Sequence, residues 1–218
     1  MPKKILLPKE IGSISFEDKD LKDFNKFVFH PVFGLVYKKR FRMVNNFLRG
    51  QYEKVLEVGF GPGAFLPTLA ASAKHVYGID LHKEITKVRG ALKKSKIEGV
   101  CLLNGDIYSI PFRNETFDLV ICQSVLEHLD NLDRALKEVS RVLKKNGKLI
   151  IGSPLKNKIT KKLFALLGYK DDEIHPSGHK EILESCGKNF QIEKCIYFPR
   201  FLGKKQSLYF AGEFNKGK

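Results

Sequence analysis

Much that would place this chain in a structural class is missing from it. Its four cysteines (Cys101, Cys122, Cys186 and Cys195) form no C-x-x-C pair and keep no regular spacing. That argues against both a disulfide framework and a zinc knuckle, leaves no metal site indicated, and sets the expectation of a reducing cytoplasm. No apolar stretch approaches the ~18 residues of a membrane span. The opening MPKKILLPKE is basic, but its apolar run is too short for a signal peptide. Neither an internal repeat nor a low-complexity linker interrupts the 218 residues. With 43% apolar residues the chain has enough to fill one sizeable core, so one domain is expected, at 54–218, preceded by a helical extension at 1–53.

Acidic side chains are the minority, 24 against 39 basic ones, for a net charge of +15. Such an excess suits polyanion partners, because lysine and arginine clusters gain from neutralising phosphates. Here the excess is spread along the chain, as +5 over 1–53, +4 over 54–153 and +6 over 154–218. A lysine-rich, well-solvated surface explains that distribution at least as well.

From Lys54 onward short apolar runs alternate with helical patterns, the signature of a parallel sheet with crossover helices. Strands are predicted at 54–58, 75–79, 100–104, 117–122 and 147–152. A helix at 131–143 carries Leu132, Ala135, Leu136, Val139, Val142 and Leu143 at helical spacing, and Lys144, Lys145, Asn146 and Gly147 close it. Beyond Ile151 the pattern predicts a basic helix near 157–168, a helix near 178–186 entered through Pro176 and a capping Ser177, and strands at 189–198 and 206–214.

The run VLEVGFGPGAF at 55–65 joins a buried strand to a helix through Gly59, Gly61 and Gly63. Glycine permits positive φ and lets a ligand approach the backbone, and the helix that follows offers free N–H groups and a positive dipole end. Pro67 is tolerable because it lies near that helix start. Gly59, Gly61 and Ala64 also satisfy the dinucleotide pattern G-x-G-x-x-G/A, so a nicotinamide or flavin enzyme has to be weighed. Glu57 argues against it. A carboxylate at the end of the first strand repels a pyrophosphate and suits a cofactor bearing an amino group and a sulfonium.

E-x-G-x-G-x-G after a first strand resembles the opening motif of class I S-adenosylmethionine-dependent methyltransferases, and later segments agree in order. Asp80, in VYGIDL, ends the second strand where a carboxylate accepts both ribose hydroxyls. Asp106, in LLNGDI, matches the family's acidic residue for the adenine amino group. Gln123 and Ser124, in FDLVICQSVLEHL, resemble the segment whose backbone lies beside the methionine part. The resemblance covers about 54–153 and is closest to the branch acting on small molecules such as quinone precursors and lipids. It implies a Rossmann-like, doubly wound, mostly parallel α/β sheet of seven strands, the last antiparallel, with helices on both faces. It also implies S-adenosylmethionine bound by Glu57, Gly59, Phe60, Gly61, Gly63, Asp80, Leu81, Asp106, Ile107, Gln123 and Ser124. Each of these has a plainer reading, the glycines as a tight turn and Asp80 and Asp106 as helix N-caps.

Methyl transfer from a sulfonium needs chiefly that the acceptor atom be close and aligned, and a base only where that atom carries a proton of high pKa. His175 and His179 are the candidate bases, with Tyr37 and Tyr169 as polar neighbours. His128 reads as readily as a buried structural histidine. A nucleic-acid acceptor is the main rival to a small-molecule one. Exocyclic-amine enzymes carry Asn or Asp, Pro-Pro and an aromatic after the fourth strand, where this chain has Gln123, Ser124, Val125 and Leu126. Cytosine C5 enzymes use a Pro-Cys pair, absent here. Ribose and ring-nitrogen methylation of RNA need neither motif, and a noncatalytic cofactor-binding adaptor is the third class.

Two amphipathic segments outside the core are expected as lids over the acceptor side, one in the extension and one inserted at about 155–176. In 36–48, Tyr37, Phe41, Val44 and Leu48 share one face, with Lys38, Arg42, Asn45 and Arg49 opposite. In 157–168, Ile159, Leu163, Leu166 and Leu167 oppose Lys158, Lys161 and Lys162. Their apolar faces either complete the core or, with the basic flanks, make peripheral contact with an anionic membrane and admit a lipid-like acceptor.

Overall fold

The computed structural model describes residues 4–31, 33–166 and 176–217. Three helices, α1 (Lys9–Gly12), α2 (Lys19–Phe29) and α3 (Phe33–Asn45), precede the first strand. The central part runs β1 (Tyr52–Val58), α4 (Leu66–Ala70), β2 (Ala73–Asp80), α5 (Ile85–Lys94), β3 (Val100–Asn104), β4 (Phe117–Gln123), α6 (Leu132–Val142) and β5 (Leu143–Pro154). After α7 (Lys158–Leu166) and α8 (His179–Gly187) come β6 (Phe190–Phe198) and β7 (Tyr209–Lys216).

The seven strands form one sheet in the order β3-β2-β1-β4-β5-β7-β6. β1 to β5 pair in parallel, and β7 runs antiparallel to both its neighbours. This is the seven-stranded, Rossmann-like, mostly parallel sheet that the resemblance implied. Helices cover both faces, so alternate side chains of each central strand enter different cores. Val55, Leu119, Ile121 and Ile150 join the core beneath α3, α4 and α5. Leu56, Val120, Cys122 and Ile151 join the one beneath α6 and α8. Burial on both faces is why these strands read as near-continuous apolar runs. The chain builds outward from β1 through β2 to β3, then returns to lay β4 on the other side of β1. The crevice at the C-terminal ends of β1 and β4 is therefore the topological switch point, where open α/β sheets bind ligands.

Several local expectations are corrected. The helix after the glycines, α4, has only five residues, so its dipole is small and the free N–H groups of the loop matter more. α6 ends at Val142 and passes straight into β5, where residues 144–147 form an irregularity between the pairs Phe117–Leu143 and Leu119–Lys148 rather than a cap. Ser177 does not cap α8. That position belongs to Gly178, and the Ser177 hydroxyl donates to the Leu129 carbonyl at 2.7 Å. Asn45, expected on the polar side of its helix, is buried, because α3 packs against β5 and β7 as well as α2. Ile159 is 40% exposed rather than packed inward. Residues 167 and 168 of the predicted basic helix lie outside the described residues.

Candidate active site

β1 delivers its C-terminal end into a loop in which Gly59, Gly61 and Gly63 all have positive φ, +71°, +51° and +80°. Their neighbours differ. A Cβ on Gly59 would lie 2.3 Å from Val125 Cγ2, and one on Gly63 2.6 Å from Val88 Cγ1. These two glycines let the loop close against the segment after β4 and against α5. A Cβ on Gly61 would meet nothing within 4 Å, so glycine there serves the left-handed backbone and the open space beside it. Gly61 N–H donates to Asp80 Oδ2 at 2.7 Å. His82, which the sequence did not single out, holds the same loop. Its Nδ1 accepts from Glu84 N–H at 3.1 Å, so Nε2 carries the proton and donates to the Gly61 carbonyl at 3.0 Å.

In front of this loop lies a cavity of about 430 Å³, within the usual range of small-molecule sites. Glu57, Gly59, Phe60, Gly61 and Asp80 line it, and so do Leu81, Asp106, Ile107, Gln123 and Ser124. Every residue expected around the cofactor is therefore brought together except Gly63, which packs behind. The roof comes from the N-terminal helices, Leu21 and Phe24 on α2 and Tyr37, Arg40 and Phe41 on α3. α7, the second expected lid, contributes no lining residue among those described.

Glu57 is the least expected charge in this setting. It is 3% exposed, and among the described residues its Oε2 has no hydrogen-bond partner. Burial first, and the nearby Asp80 charge second, push its carboxyl well above the usual range. Gln123 Oε1, also buried, likewise lacks a partner. Asp80 accepts from Gly61 N–H and, at 3.2 Å, from His82 N–H, and Asp106 accepts from Tyr108 N–H at 2.9 Å. Neither caps a helix, and a carboxylate with about four acceptor sites keeps room for ligand hydroxyls or amines. Leu81, beside Asp80, is 68% exposed and offers an apolar surface next to Ile107 for a flat ring. Partnerless buried acceptors, a carboxylate beside the loop and an apolar platform fit the ammonium, ribose and adenine of S-adenosylmethionine.

Of the two candidate bases, His179 alone is among the described residues, and the cavity lining does not include it. It starts α8 half-buried, its ring centroid 6.4 Å from that of Phe210. Burial, with Lys180, lowers its pKa against the opposing Glu181. His175 and Tyr169 lie outside the described residues. Tyr37 does line the cavity, together with His128 and Tyr108. Arg40, Leu21, Phe24 and the placement of His128 were missed. Helical periodicity marks an apolar face on α2 and α3, but nothing local says what that face covers.

Residues 56–151 match the family model described as methyltransferase domain. Over these residues, somewhat less than half of its length, the chain is similar to methyltransferase domains. It is similar to MJ0638 of Methanocaldococcus jannaschii, 34% identical over 136 residues that make up 62% of this chain and 56% of that one. It is also similar to a malonyl-[acyl-carrier protein] O-methyltransferase of Erwinia billingiae, 32% identical over 105 residues, 48% of this chain and 40% of that one. The chain thus spans about half the length of these relatives. In fold, the chain resembles the N-methyltransferase NodS of Bradyrhizobium japonicum in complex with S-adenosyl-L-homocysteine, with a TM-score of 0.63 at 17% identity over 92% of this chain and 100% of that one.

Proposed function

We propose that the chain transfers the methyl group of S-adenosylmethionine to a small-molecule acceptor enclosed beneath α2 and α3. The observation that carries this reading is the buried Glu57 carboxyl at the mouth of the glycine loop, its Oε2 without a partner among the described residues, a poor neighbour for a phosphate and a good one for an ammonium. Glu57 and Gln123 take the amino group, Asp80 the ribose hydroxyls, Asp106 the adenine amine, and Leu81 and Ile107 the two sides of the ring. The bound cofactor supplies a methyl group on an already activated sulfonium leaving group. What remains for the protein is to exclude water and align the acceptor, and Leu21, Phe24 and Phe41 form an apolar wall suited to both. Where the acceptor carries a proton, Tyr37, Tyr108 and His128 are polar groups on the cavity that can hold it. One relative is named for O-methylation and one fold neighbour for N-methylation, which supports the reaction without selecting the acceptor atom.

The test is calorimetric titration with S-adenosyl-L-homocysteine and, separately, with a nicotinamide cofactor, followed by incubation of labelled cofactor with polar-metabolite, lipid and RNA fractions. Binding of the former and label in a metabolite or lipid fraction is expected. Label confined to RNA makes the chain an RNA methyltransferase, and binding without label in any fraction makes it a noncatalytic adaptor. Peripheral docking on an anionic membrane is a second reading, favoured by the exposed Leu35, Val36 and Phe201 near Lys38, Lys39, Lys204 and Lys205 in the chain. Sedimentation with anionic but not neutral vesicles, weakened by charge reversal at Lys158, Lys161 and Lys162, is the result expected of it. Indifference to anionic vesicles at low salt removes it.

A further inference from the structure

We propose that His82 is a positioning residue that sets the glycine loop for the cofactor and ties that loop to the N-terminal roof, an inference that rests on the cofactor reading above. Gly59 and Gly63 are held by packing, against Val125 and Val88, but nothing lies where a Cβ of Gly61 would point. Gly61 is therefore placed by its backbone hydrogen bonds. Its N–H donates to Asp80 Oδ2 at 2.7 Å, and its carbonyl accepts from His82 Nε2 at 3.0 Å. Asp80 has also to serve the ribose, so the His82 bond is the one that belongs to the loop alone. The His82 side chain is 6% exposed, and its ring meets Phe60 edge-on with centroids 5.0 Å apart. Asp80 Oδ2, 4.0 Å from Nε2, is too far to divert its proton. The turn that carries the ring is itself pinned, because the Asn104 amide donates to the Asp80 and Leu81 carbonyls at 3.1 and 3.0 Å.

The other ring nitrogen serves the roof. Nδ1 accepts from the Glu84 N–H at 3.1 Å, and the Glu84 carboxylate accepts from the N–H groups of Glu17 and Asp18, just before α2, at 2.7 to 3.1 Å. Glu84 thus holds the roof with its side chain and the imidazole with its backbone. A continuous run of hydrogen bonds leads from the Gly61 carbonyl through His82 and Glu84 to the start of α2, whose Asp20 and Leu21 line the cavity. A neutral imidazole suits this place, because its two nitrogens share one rigid plane and donate on one side while accepting on the other. The two tasks are separable: Nε2 sets the loop, and Nδ1 sets Glu84. Binding that fixes Gly61 therefore steadies α2 through the protein as well as by direct contact, and loosening α2 weakens cofactor binding in return.

The experiment separates the two nitrogens. His82→Gln places an amide donor near the Nε2 position and nothing at Nδ1. His82→Asn places an acceptor near Nδ1, in an Asx turn to the Glu84 N–H, and no donor toward Gly61. Calorimetry with S-adenosyl-L-homocysteine reads the loop, hydrogen exchange over 17–29 in the ligand-free protein reads the roof, and thermal melting checks folding. His82→Asn is expected to lose affinity at least about fivefold and to keep the roof's protection. His82→Gln is expected to keep affinity within about twofold and to exchange faster over 17–29. Two variants that behave alike in both readouts overturn the proposal, since a ring that merely fills space would make them alike, and so does the reverse pattern. Where neither variant folds, nitrogen NMR of the wild type decides. The Nε2–H tautomer, with a scalar coupling across the hydrogen bond from Glu84 N–H to Nδ1, supports the relay, and the Nδ1–H tautomer overturns it. Folded wild type that binds no S-adenosyl-L-homocysteine overturns the cofactor reading and this proposal with it, whereas wild type that binds while the two variants behave alike overturns this proposal alone.

Discussion

Two residues of the glycine loop differ in what a methyl group would do to them. At Gly63 an alanine meets both a left-handed backbone and Val88 Cγ1 at 2.6 Å. Gly63→Ala should therefore cost about 2–4 kcal/mol of stability, read from urea unfolding, with cofactor affinity following the loss of fold. At Gly61 the backbone strain alone costs about 1 kcal/mol, and the methyl group enters open space on the ligand side. Gly61→Ala should leave the protein folded and lower affinity for S-adenosyl-L-homocysteine at least about tenfold. Equal effects at the two positions would contradict these assignments. Glu57 makes a prediction about protons. Because burial and Asp80 raise its pKa, a proton on Glu57 competes with an ammonium for the same oxygens, so affinity should rise with pH through its titration and binding there should release protons. Calorimetry across a pH series in buffers of different ionisation enthalpy checks both. Glu57→Gln, with no proton to lose, should bind more weakly and without buffer dependence.

At the level of elements, the N-terminal helices become a roof through one carboxylate. Glu84 occupies the N-cap position of α5 without capping it. Instead it accepts from Glu17 N–H at 3.0 and 3.1 Å and from Asp18 N–H at 2.7 Å, just before α2, and pairs with Lys87 at 2.6 Å. Asp18 in turn caps α2 through Leu21 N–H. Burial opposes ionisation of Glu84, but Lys87 and the two backbone donors outweigh it and lower its pKa to about 2. A carboxyl whose folded pKa is depressed stabilises fully above its unfolded value of about 4.3, and that contribution is lost as pH falls from there through about 2. Hydrogen exchange over residues 19–45 should therefore quicken as pH drops across that window, after correction for intrinsic rates. Glu84→Ala should quicken it at neutral pH by about 1–3 kcal/mol of local stability, while β1 and β4 keep their protection. Uniform loss of protection would mean that the helices belong to the core's cooperative unit and are no roof.

For the whole molecule, the cavity is lined from two sides, by the C-terminal ends of the strands and by the helices α2 and α3. A ligand that fills it touches both, so S-adenosyl-L-homocysteine at 100 times its Kd should stabilise the fold by about 2.7 kcal/mol. Added protection should concentrate in α2, α3 and the loop at 59–65. A rise in melting temperature with protection confined to the strands would place the ligand elsewhere. The five parallel strands were legible because each is a buried apolar run bounded by turn residues, and the glycine loop because positive φ leaves few other residues to choose from. The length of the helix after the loop was not legible, because Pro67 and the apolar residues around it fix where a helix starts, not how far packing lets it continue.

By itself the sequence determined the order of the strands, the loop at Gly59, Gly61 and Gly63, and the acidic residues ending β1 and β2, while the helix it implied between β3 and β4 is absent. Those are local matters, set by neighbouring residues through alternation, spacing and backbone freedom. Only the tertiary structure decided that His128 lines the cavity while His179 does not. It alone joined Arg40 to Ser124, 84 residues on, and Glu84 to Asp18, 66 residues back. It also made Glu57 a carboxyl that resists ionisation, because burial and the approach of Asp80 arise from packing between strands and leave no mark on the residues beside Glu57 in the chain.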